Sequence, residues 1–184
     1  IRMGGAVNMS KETDMETLGL QWKKFLNNQV VDKNLVSPLI LGSWKRSMSA
    51  GVNPYTIDKK YYLYEDEIQS YTNSYDEVID EEFRSILQKI AAEFDLQFLL
   101  FDNECKLVNI FACSDNIKTI VSNSSESIIG TNSICLALKH NMPVQVFGME
   151  HYNKLLHNYN CSAAPIHDEN KNIIGVINIS GIIS

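Results

Sequence analysis

Two histidines and a cysteine lie close enough in the sequence to raise the question of a metal site. Glu150, His151, His157 and Cys161 all fall within twelve residues. On an α-helix, however, six residues correspond to a rotation of about 600°, so the two histidines would point to different sides. We therefore expect one histidine to face solvent and the other to pack against a sheet, and we predict no bound metal and no cofactor.

Cysteine chemistry is the second possibility that the residue types allow. The four cysteines, at positions 105, 113, 135 and 161, are far apart and form no C-x-x-C pair, so neither a disulfide framework nor a zinc ribbon is indicated. Cys161 follows a segment that contains His157, and a nearby base can activate a thiol as a nucleophile. Free cysteine is also among the most buried residue types, so a small apolar filler on a strand is the simpler interpretation.

The charge distribution argues against direct contact with nucleic acid. The formal net charge is −6, from 16 basic and 22 acidic residues, and the densest basic pair, Lys59 and Lys60, is followed closely by acidic residues. Nucleic-acid binders instead carry a basic stripe that displaces counterions from phosphates. The P-loop and dinucleotide-binding motifs are missing, and no apolar run approaches the roughly 20 residues of a membrane span. We expect a cytoplasmic protein without nucleotide hydrolysis, DNA contact or membrane contact.

The C-terminal half combines aromatic and small polar side chains in segments that have strand patterns. Phe98 and Phe111 lie on two of these segments, and Cys161, Ser162 and Asn178 lie on two others. An apolar cavity with a few convergent polar groups is typical of a small-molecule site. Because Asn178 is a polar residue on an otherwise apolar strand, we expect it to have a hydrogen-bond partner in the protein, in water or in a ligand.

A central sheet is needed to bring these side chains together. Apolar runs and turn residues predict strands at 96–101, 107–113, 143–147, 161–167 and 173–180. Helices are expected at 114–121, 131–140 and 150–158. In the last turn, Asn170 and Asn172 tolerate left-handed geometry. This order of elements predicts an α+β fold, with an antiparallel sheet flanked by helices.

Helical patterns precede the sheet. In residues 16–51, Ser37 and Pro38 fit an N-cap and a first helical position, and Gly51 fits the end of a helix. Residues 65–93 repeat apolar side chains at steps of three and four, which predicts one amphipathic helix of roughly 25–30 residues. Such a helix packs across a whole domain or pairs with a second copy, so we expect a homodimer formed through it.

Five short segments of the chain carry distinctive motifs. They are SWKRS at 43–47 with GVNP at 51–54, IGTNSI at 129–134, GMEHY at 148–152, CSAAPI at 161–166 and GVINISG at 175–181. In this order they resemble segments of sigma-54-dependent transcriptional activators of the acetoin- and glycerol-catabolism type. The resemblance implies a GAF-type sensory domain, which in this family precedes an ATPase domain and a helix-turn-helix domain.

The sequence patterns and the resemblance together divide the chain into four parts. We expect residues 1–8 to be an addition ahead of a native start at Met9, residues 9–64 to be a helical lead-in, residues 65–94 to be the long connecting helix, and residues 95–184 to be the GAF domain. The C-terminal helix, the ATPase and the DNA-binding domain of the family are not expected in this stretch. DNA would therefore be bound by a domain outside it.

A ligand site is implied between the helix after Gly130, the loop at Glu150 and the strand at Cys161. Exposed amides at the start of that helix could hold an anionic ligand group. Two interpretations stay open for residues 150–152, which either contact a ligand or cap and anchor their own loop. The candidate ligand-binding residues are Phe98, Phe111, Ser133, Glu150, His151, Tyr152, Cys161, Ser162 and Asn178. No residue is assigned a catalytic role.

The expected function is that a small catabolite binds in the GAF pocket and controls the ATPase domain. Two alternatives remain. Some GAF proteins reduce methionine sulfoxide with cysteines, which requires a resolving cysteine near the nucleophilic one, and the sequence spacing shows no obvious pair. In the other alternative the pocket is vestigial, and a partner protein such as a metabolic kinase subunit supplies the input.

Overall fold

An antiparallel sheet forms the centre of the chain in the computed structural model, which describes residues 14–73 and 81–183. The strands are β1 Tyr62–Tyr64, β2 Leu96–Phe101, β3 Leu107–Cys113, β4 Thr119–Val121, β5 Val144–Phe147, β6 Tyr159–His167 and β7 Ile173–Ile182. Five of them form the central sheet in the order β3-β2-β7-β6-β5, and every neighbouring pair is antiparallel. β1 and β4 form a separate two-stranded ribbon. The predicted α+β class and antiparallel sheet are confirmed.

Helices lie on both faces of this sheet. They are α1 Met15–Leu26, α2 Pro38–Ser49, α3 Glu65–Asn73, α4 Glu81–Phe94, α5 Glu126–Ile129 and α6 Ser133–His140. Side chains alternate along a strand, so Leu99 and Phe101 of β2 join the large core with α1, α2 and α6. Phe98 points the other way, into a smaller cluster with Phe111 and with Ala91 of α4.

The lead-in helices begin and end where the sequence indicates. Ser37 Oγ accepts a hydrogen bond from an amide in the first turn of α2, and Pro38 is the first helical residue. Gly51 follows α2 with a φ of +72°, a left-handed conformation that glycine adopts without strain. Trp22 of α1 and Trp44 of α2 are both almost completely buried in the large core, so the lead-in is packed as part of the same fold.

The long helix predicted at 65–94 corresponds to two described helices. Residues 65–73 and 81–94 are helical, and the predicted positions Tyr75, Val78 and Ile79 lie outside the described residues. Ile68 of α3 belongs to the large core, whereas Ala91 of α4 belongs to the small cluster on the other face of the sheet. The two helices therefore pack into different hydrophobic cores.

The helix predicted at 114–121 is wrong. Its last part is β4, in which Ile120 lies opposite Leu63 of β1, and both side chains are buried. β1 lies far earlier in the chain, at the end of the lead-in. Because this partner is remote in sequence, the local pattern around 114–121 gave no indication of a strand.

The helix predicted at 150–158 is also wrong. Residues Gly148–Glu150 and Lys154–Leu156 form two short 3₁₀ turns. Between them, the Asn153 side chain donates hydrogen bonds to the backbone carbonyls of Asn53 and Thr56. Asparagine side chains compete with helices by bonding backbone groups, and here the bonded groups belong to the lead-in.

The closing hairpin differs in one detail from its prediction. The left-handed residue of its turn is Lys171, with a φ of +66°, and not Asn170 or Asn172. Asp168 holds the turn, because its carboxylate accepts hydrogen bonds from the amide and the side chain of Asn172.

Residues 1–8 lie outside the described residues. No helix within residues 14–73 or 81–183 is long and apolar enough to cross a membrane.

Candidate ligand cavity

A cavity of about 310 Å³ lies on the large-core face of the central sheet. Its floor is formed by side chains of β2, β6 and β7. Its walls are the β1–β4 ribbon, the segment from Ser124 to the first turn of α6, and the 3₁₀ segment that contains His151 and Leu155. Ligand pockets commonly have volumes of about 300–1,000 Å³, so this cavity suits a small molecule.

A chain of polar side chains joins the floor to α6. Asn178 Nδ2 donates to Ser133 Oγ at 3.1 Å and to the Ser162 carbonyl at 3.2 Å, and Ser180 Oγ donates to Asn178 Oδ1 at 2.6 Å. Asn178 therefore has protein partners, which was one of its expected alternatives. Because Ser133 Oγ accepts the bond from Asn178, its own hydroxyl proton is left to be donated elsewhere.

Two residues that line the cavity each carry a buried side-chain atom without a hydrogen-bond partner among the described residues. These atoms are Gln97 Oε1 and His151 Nε2. His151 Nδ1 lies 2.9 Å from the Gly148 carbonyl oxygen, so Nδ1 carries the proton and Nε2 presents a lone pair. Buried polar atoms normally have partners. Both of these atoms are acceptors, so each calls for a donor group.

No charged side chain lines the cavity among the described residues. His151 is fully buried, and this burial lowers the pKa of its imidazole to about 4, so the ring is neutral near pH 7. Burial also raises the pKa of the Cys161 thiol to about 11, which keeps it protonated. An anionic group would find no side-chain countercharge among the described residues. In addition, Asn132 Oδ1 already accepts from the Cys135 amide in the first turn of α6.

The candidate residues divide between the cavity and other places. Ser133, His151, Cys161 and Asn178 line the cavity. Phe98 and Phe111 do not, because they lie in the small cluster on the other face of the sheet. They were chosen as candidates because they lie on predicted strands. The sequence reasoning did not determine to which face of the sheet each side chain points. Ser162 is exposed on β6 and contributes only its carbonyl, to Asn178.

Glu150 and Tyr152 anchor their segment instead of facing the cavity. The Glu150 carboxylate accepts from the Phe147 amide at 2.9 Å. The Tyr152 ring packs on Gly130, whose φ is +78° and where an added Cβ would lie 2.6 Å from Tyr152 Cβ. Of the two interpretations left open for residues 150–152, capping and anchoring fits Glu150 and Tyr152, and cavity lining fits His151.

The expectation for the two histidines is wrong, since neither faces solvent. His157 is 7% exposed and His151 is 0% exposed. His157 Nε2 donates to the His151 carbonyl at 3.1 Å, and burial lowers the pKa of His157. No group of three His, Cys, Asp or Glu side chains in the described part of the chain could hold a metal ion.

Two tryptophans connect the lead-in helices to the segment that covers the cavity. Trp44 Nε1 donates to the Glu150 carbonyl at 2.7 Å, and Trp22 Nε1 donates to the Tyr152 carbonyl at 2.9 Å. These two carbonyls flank His151. The Trp22 ring also meets the His157 ring edge-on, at 4.8 Å between centroids. The residues on either side of His151 are therefore hydrogen-bonded to α1 and α2.

The SWKRS motif supplies a second connection, to the helices beside the cavity. Arg46 Nε and one of its terminal nitrogens each lie 2.8 Å from the Glu126 carboxylate. Ser43 Oγ donates to the same carboxylate. Glu126 is the first residue of α5, which leads through Gly130 into α6. The motif therefore holds the first residue of α5 in place, and α5 begins the part of the cavity wall that carries Ser133.

Sequence reasoning missed Gln97 and the contribution of the lead-in to the cavity. Gln97 is a polar residue inside the apolar run of β2, two positions before Leu99, so strand alternation places both on the same face. That alternation was the available indication. Ile57, Tyr62 and Tyr64 also line the cavity. Their positions depend on the pairing of β1 with β4, which the sequence pattern did not reveal.

Comparison with known proteins gives relatives over most of the chain. The acetoin dehydrogenase operon transcriptional activator AcoR of Bacillus subtilis is 32% identical over 190 aligned positions, covering 93% of this chain and 29% of that protein. An uncharacterized 47.3 kDa protein in the thcA 5′ region of Rhodococcus erythropolis is 33% identical, covering 83% of this chain and 37% of that protein. The propane 2-monooxygenase operon transcriptional activator MimR of Mycolicibacterium goodii is 24% identical over 86% of this chain. The chain spans about a third of the length of the first two relatives. No protein-family model matches it.

A solved structure has the same fold. A chain of the E. coli DhaR(N)–DhaL complex superposes with a TM-score of 0.60 at 19% identity, covering 80% of this chain and 53% of the other. At this identity the match concerns the fold alone. Together with the sequence relatives, it places the present chain among GAF-like sensory regions.

Proposed function

The chain is a homologue of sigma-54-dependent transcriptional activators and has the fold of their GAF-like sensory region, and from this premise we propose that it binds a small uncharged metabolite in its cavity. The observation that carries the proposal is that two residues lining the cavity, Gln97 and His151, each have a buried acceptor atom without a partner, while no charged side chain of the described residues lines it. A ligand with hydroxyl or N–H donors satisfies both atoms, and Ser133 can donate to an oxygen of the same ligand.

The names of the relatives are consistent with a small effector molecule. One refers to the acetoin dehydrogenase operon and another to the propane 2-monooxygenase operon, so the proteins are named after the catabolism of small molecules. A cavity of about 310 Å³ accepts compounds of that size. Small alcohols, diols and hydroxyketones fit both the volume and the donor requirement better than organic acids do.

Regulation requires that the ligand favour one conformation over another, since equal affinity for both shifts nothing. The segment 148–157 provides the contact, because His151 lines the cavity and its neighbours' carbonyls accept from Trp22 and Trp44. A ligand bonded to His151 Nε2 changes the packing of this segment on the lead-in helices. We propose that this change controls an ATPase domain elsewhere in the full-length protein.

A thermal-shift screen tests the proposal. The melting temperature is expected to rise with the concentration of the right uncharged diol, hydroxyketone or amide, following the linkage of binding to unfolding. The shift is expected to disappear in His151→Phe. It is expected to persist in His167→Gln, because the exposed His167 ring is hydrogen-bonded to Asn141 Oδ1 and does not line the cavity. Absence of any concentration-dependent shift across such a panel would contradict small-molecule sensing.

A protein partner is the second candidate, and the matched fold supports it. The structure with the matching fold was determined as a DhaR(N)–DhaL complex. A partner-sensing role predicts that the isolated chain responds to none of the small molecules and that a purified partner gives a saturable mobility shift. A cysteine redox enzyme is less well supported, because the cavity-lining thiol of Cys161 is held protonated by burial.

Homodimerisation through the helices at 65–94 remains a prediction. Ile86 and Phe94 of α4 are 46% and 60% exposed, so this helix has apolar surface that a second copy could cover. Sedimentation equilibrium of the full chain measures this directly. A dimer that dissociates in Ile86→Glu, with unchanged circular dichroism, is the expected result, and a monomer at all concentrations would contradict the prediction.

A further inference from the structure

The four cysteines are not all isolated from one another. Cys105 Sγ and Cys135 Sγ lie 2.8 Å apart, although the residues are thirty positions apart in the chain. A disulfide bond measures about 2.05 Å, so the two sulfur atoms need less than about 1 Å of movement to become bonded. The sequence spacing indicated no such pair, because the contact is made by tertiary structure.

Both cysteines lie beside the wall of the cavity but do not line it. Cys105 is in the turn between β2 and β3 and adopts a left-handed φ of +64°. Cys135 is in the first turn of α6, two residues after Ser133. Ser124, which lines the cavity, joins them, because its amide donates to the Cys105 carbonyl and its carbonyl accepts from Cys135 Sγ at 3.0 Å.

From this geometry we propose that Cys105 and Cys135 are a site of reversible oxidation, at which a hydroperoxide converts the two thiols into an intramolecular disulfide. The modification would give the sensory region an input separate from its ligand. It does not depend on the proposed ligand, since neither sulfur faces the cavity.

Cys135 is the thiol that reacts first. The hydrogen bond from the Cys105 thiol lowers the pKa of Cys135 and, together with burial, raises that of Cys105. Cys135 is also partly exposed, whereas Cys105 is 6% exposed. The Asn132 side chain, which caps α6, contributes to stabilising the Cys135 thiolate.

The reaction runs in two steps. The Cys135 thiolate attacks the outer oxygen of the hydroperoxide, the O–O bond breaks, and the alcohol leaves after taking up a proton, so Cys135 becomes a sulfenic acid. The Cys105 sulfur then attacks the Cys135 sulfur, the S–O bond breaks, and hydroxide leaves as water with the proton of the Cys105 thiol. In total, two thiols and one hydroperoxide give one disulfide, one alcohol and one water. An external dithiol reverses the change by thiol–disulfide exchange.

The test is peptide mapping of the full chain after treatment with a slight excess of hydrogen peroxide. The expected result is a Cys105–Cys135 cross-linked peptide, a loss of about 2 Da from the intact mass as two thiol hydrogens leave, and recovery of both thiols with dithiothreitol. The oxidised protein is expected to melt roughly 5–10 °C higher, since the cross-link restricts the unfolded chain.

Two cysteine-to-serine variants test whether the cross-link is specific to the Cys105–Cys135 pair. Cys135→Ser is expected to abolish the cross-link and the rise in melting temperature. Cys113→Ser is expected to keep both, because Cys113 lies on β3 and burial raises its pKa to about 11. Cys105 and Cys135 thiols that both remain alkylatable after peroxide treatment of folded protein would overturn the proposal, and so would a predominant cross-link to Cys113 or Cys161.

Discussion

At the scale of single residues, the structure concentrates the recognition chemistry in a few neutral groups. His151 and Gln97 present acceptors, and Ser133 presents a hydroxyl that already accepts from Asn178. Burial keeps the imidazole neutral and the Cys161 thiol protonated. Recognition in such a site depends on hydrogen bonds and shape, because no charged side chain of the described residues lines the cavity.

The buried His151 predicts a pH dependence of stability. Its pKa is about 4 in the folded protein, compared with 6.5 for a solvent-accessible imidazole, so the unfolded chain binds the proton first as the pH falls. The free energy of unfolding is therefore expected to decrease between about pH 6.5 and pH 4, by up to about 3 kcal/mol from this residue. His157, whose pKa is also lowered by burial, adds in the same direction.

Urea unfolding at a series of pH values measures this effect. His151→Gln is expected to flatten the dependence between about pH 4 and pH 6.5, leaving the share of His157. An identical slope in His151→Gln and wild type would show that His151 is not buried in its neutral form.

Substitution of Gln97 is expected to weaken ligand binding without lowering the stability of the free protein. Gln97→Leu removes the unpartnered acceptor while keeping an apolar side chain on the floor of the cavity. Calorimetric titration is expected to show roughly tenfold weaker ligand binding, with the stability of the free protein unchanged or raised. The matched change Gln145→Leu, on an exposed position of β5, is expected to leave the affinity unchanged. Equal affinities in all three proteins would exclude Gln97 from ligand contact.

At the scale of elements, the lead-in helices and the cavity form one unit. α1 and α2 reach the cavity-covering segment through Trp22 and Trp44, and α2 reaches α5 through Arg46 and Glu126. One of these connections joins the SWKRS and GMEHY motifs, since the Trp44 side chain of the first donates to the Glu150 carbonyl of the second.

The Arg46–Glu126 pair predicts a measurable cost for its removal. Arg46→Met is expected to lower the free energy of unfolding by roughly 1–2 kcal/mol, which is less than a fully buried pair would lose, because the Arg46 side chain is 35% exposed. Lys45→Met changes an exposed neighbour on the same helix and is expected to cost less than about 0.5 kcal/mol. Chemical denaturation of the three proteins distinguishes them, and equal stabilities would show that the pair does not hold α2 to α5.

Local patterns predicted the elements whose formation is local. The strands β2 and β3, the capped start of α2 and the Asn132 cap of α6 follow from strand runs and capping residues next to the element they start. The β1–β4 ribbon and the 3₁₀ segment at 148–157 could not be predicted in this way, because Leu63 and Asn53 supply their partners from far earlier in the chain. Asn178 was found because it is a polar residue on an apolar strand within a motif. Strand faces were not assigned, so Phe98 was included wrongly and Gln97 was missed.

At the scale of the whole molecule, the chain is a sensory region that spans about a third of the length of its first two relatives. Its cavity is enclosed by elements from both the lead-in and the GAF-like part. The ligand proposed for this cavity would therefore contact both parts. The Cys105–Cys135 pair contacts the same wall through Ser124 but does not line the cavity, so the proposed oxidation and the proposed ligand would reach one wall from two sides.

The most direct test of small-molecule sensing is a crystal structure of the chain with the ligand that the thermal-shift screen identifies. We predict the ligand within the cavity, with an oxygen or nitrogen donor about 2.6–3.2 Å from His151 Nε2 and another from Gln97 Oε1. A ligand bound elsewhere, or a cavity filled by the chain's own side chains in the presence of saturating ligand, would contradict the account.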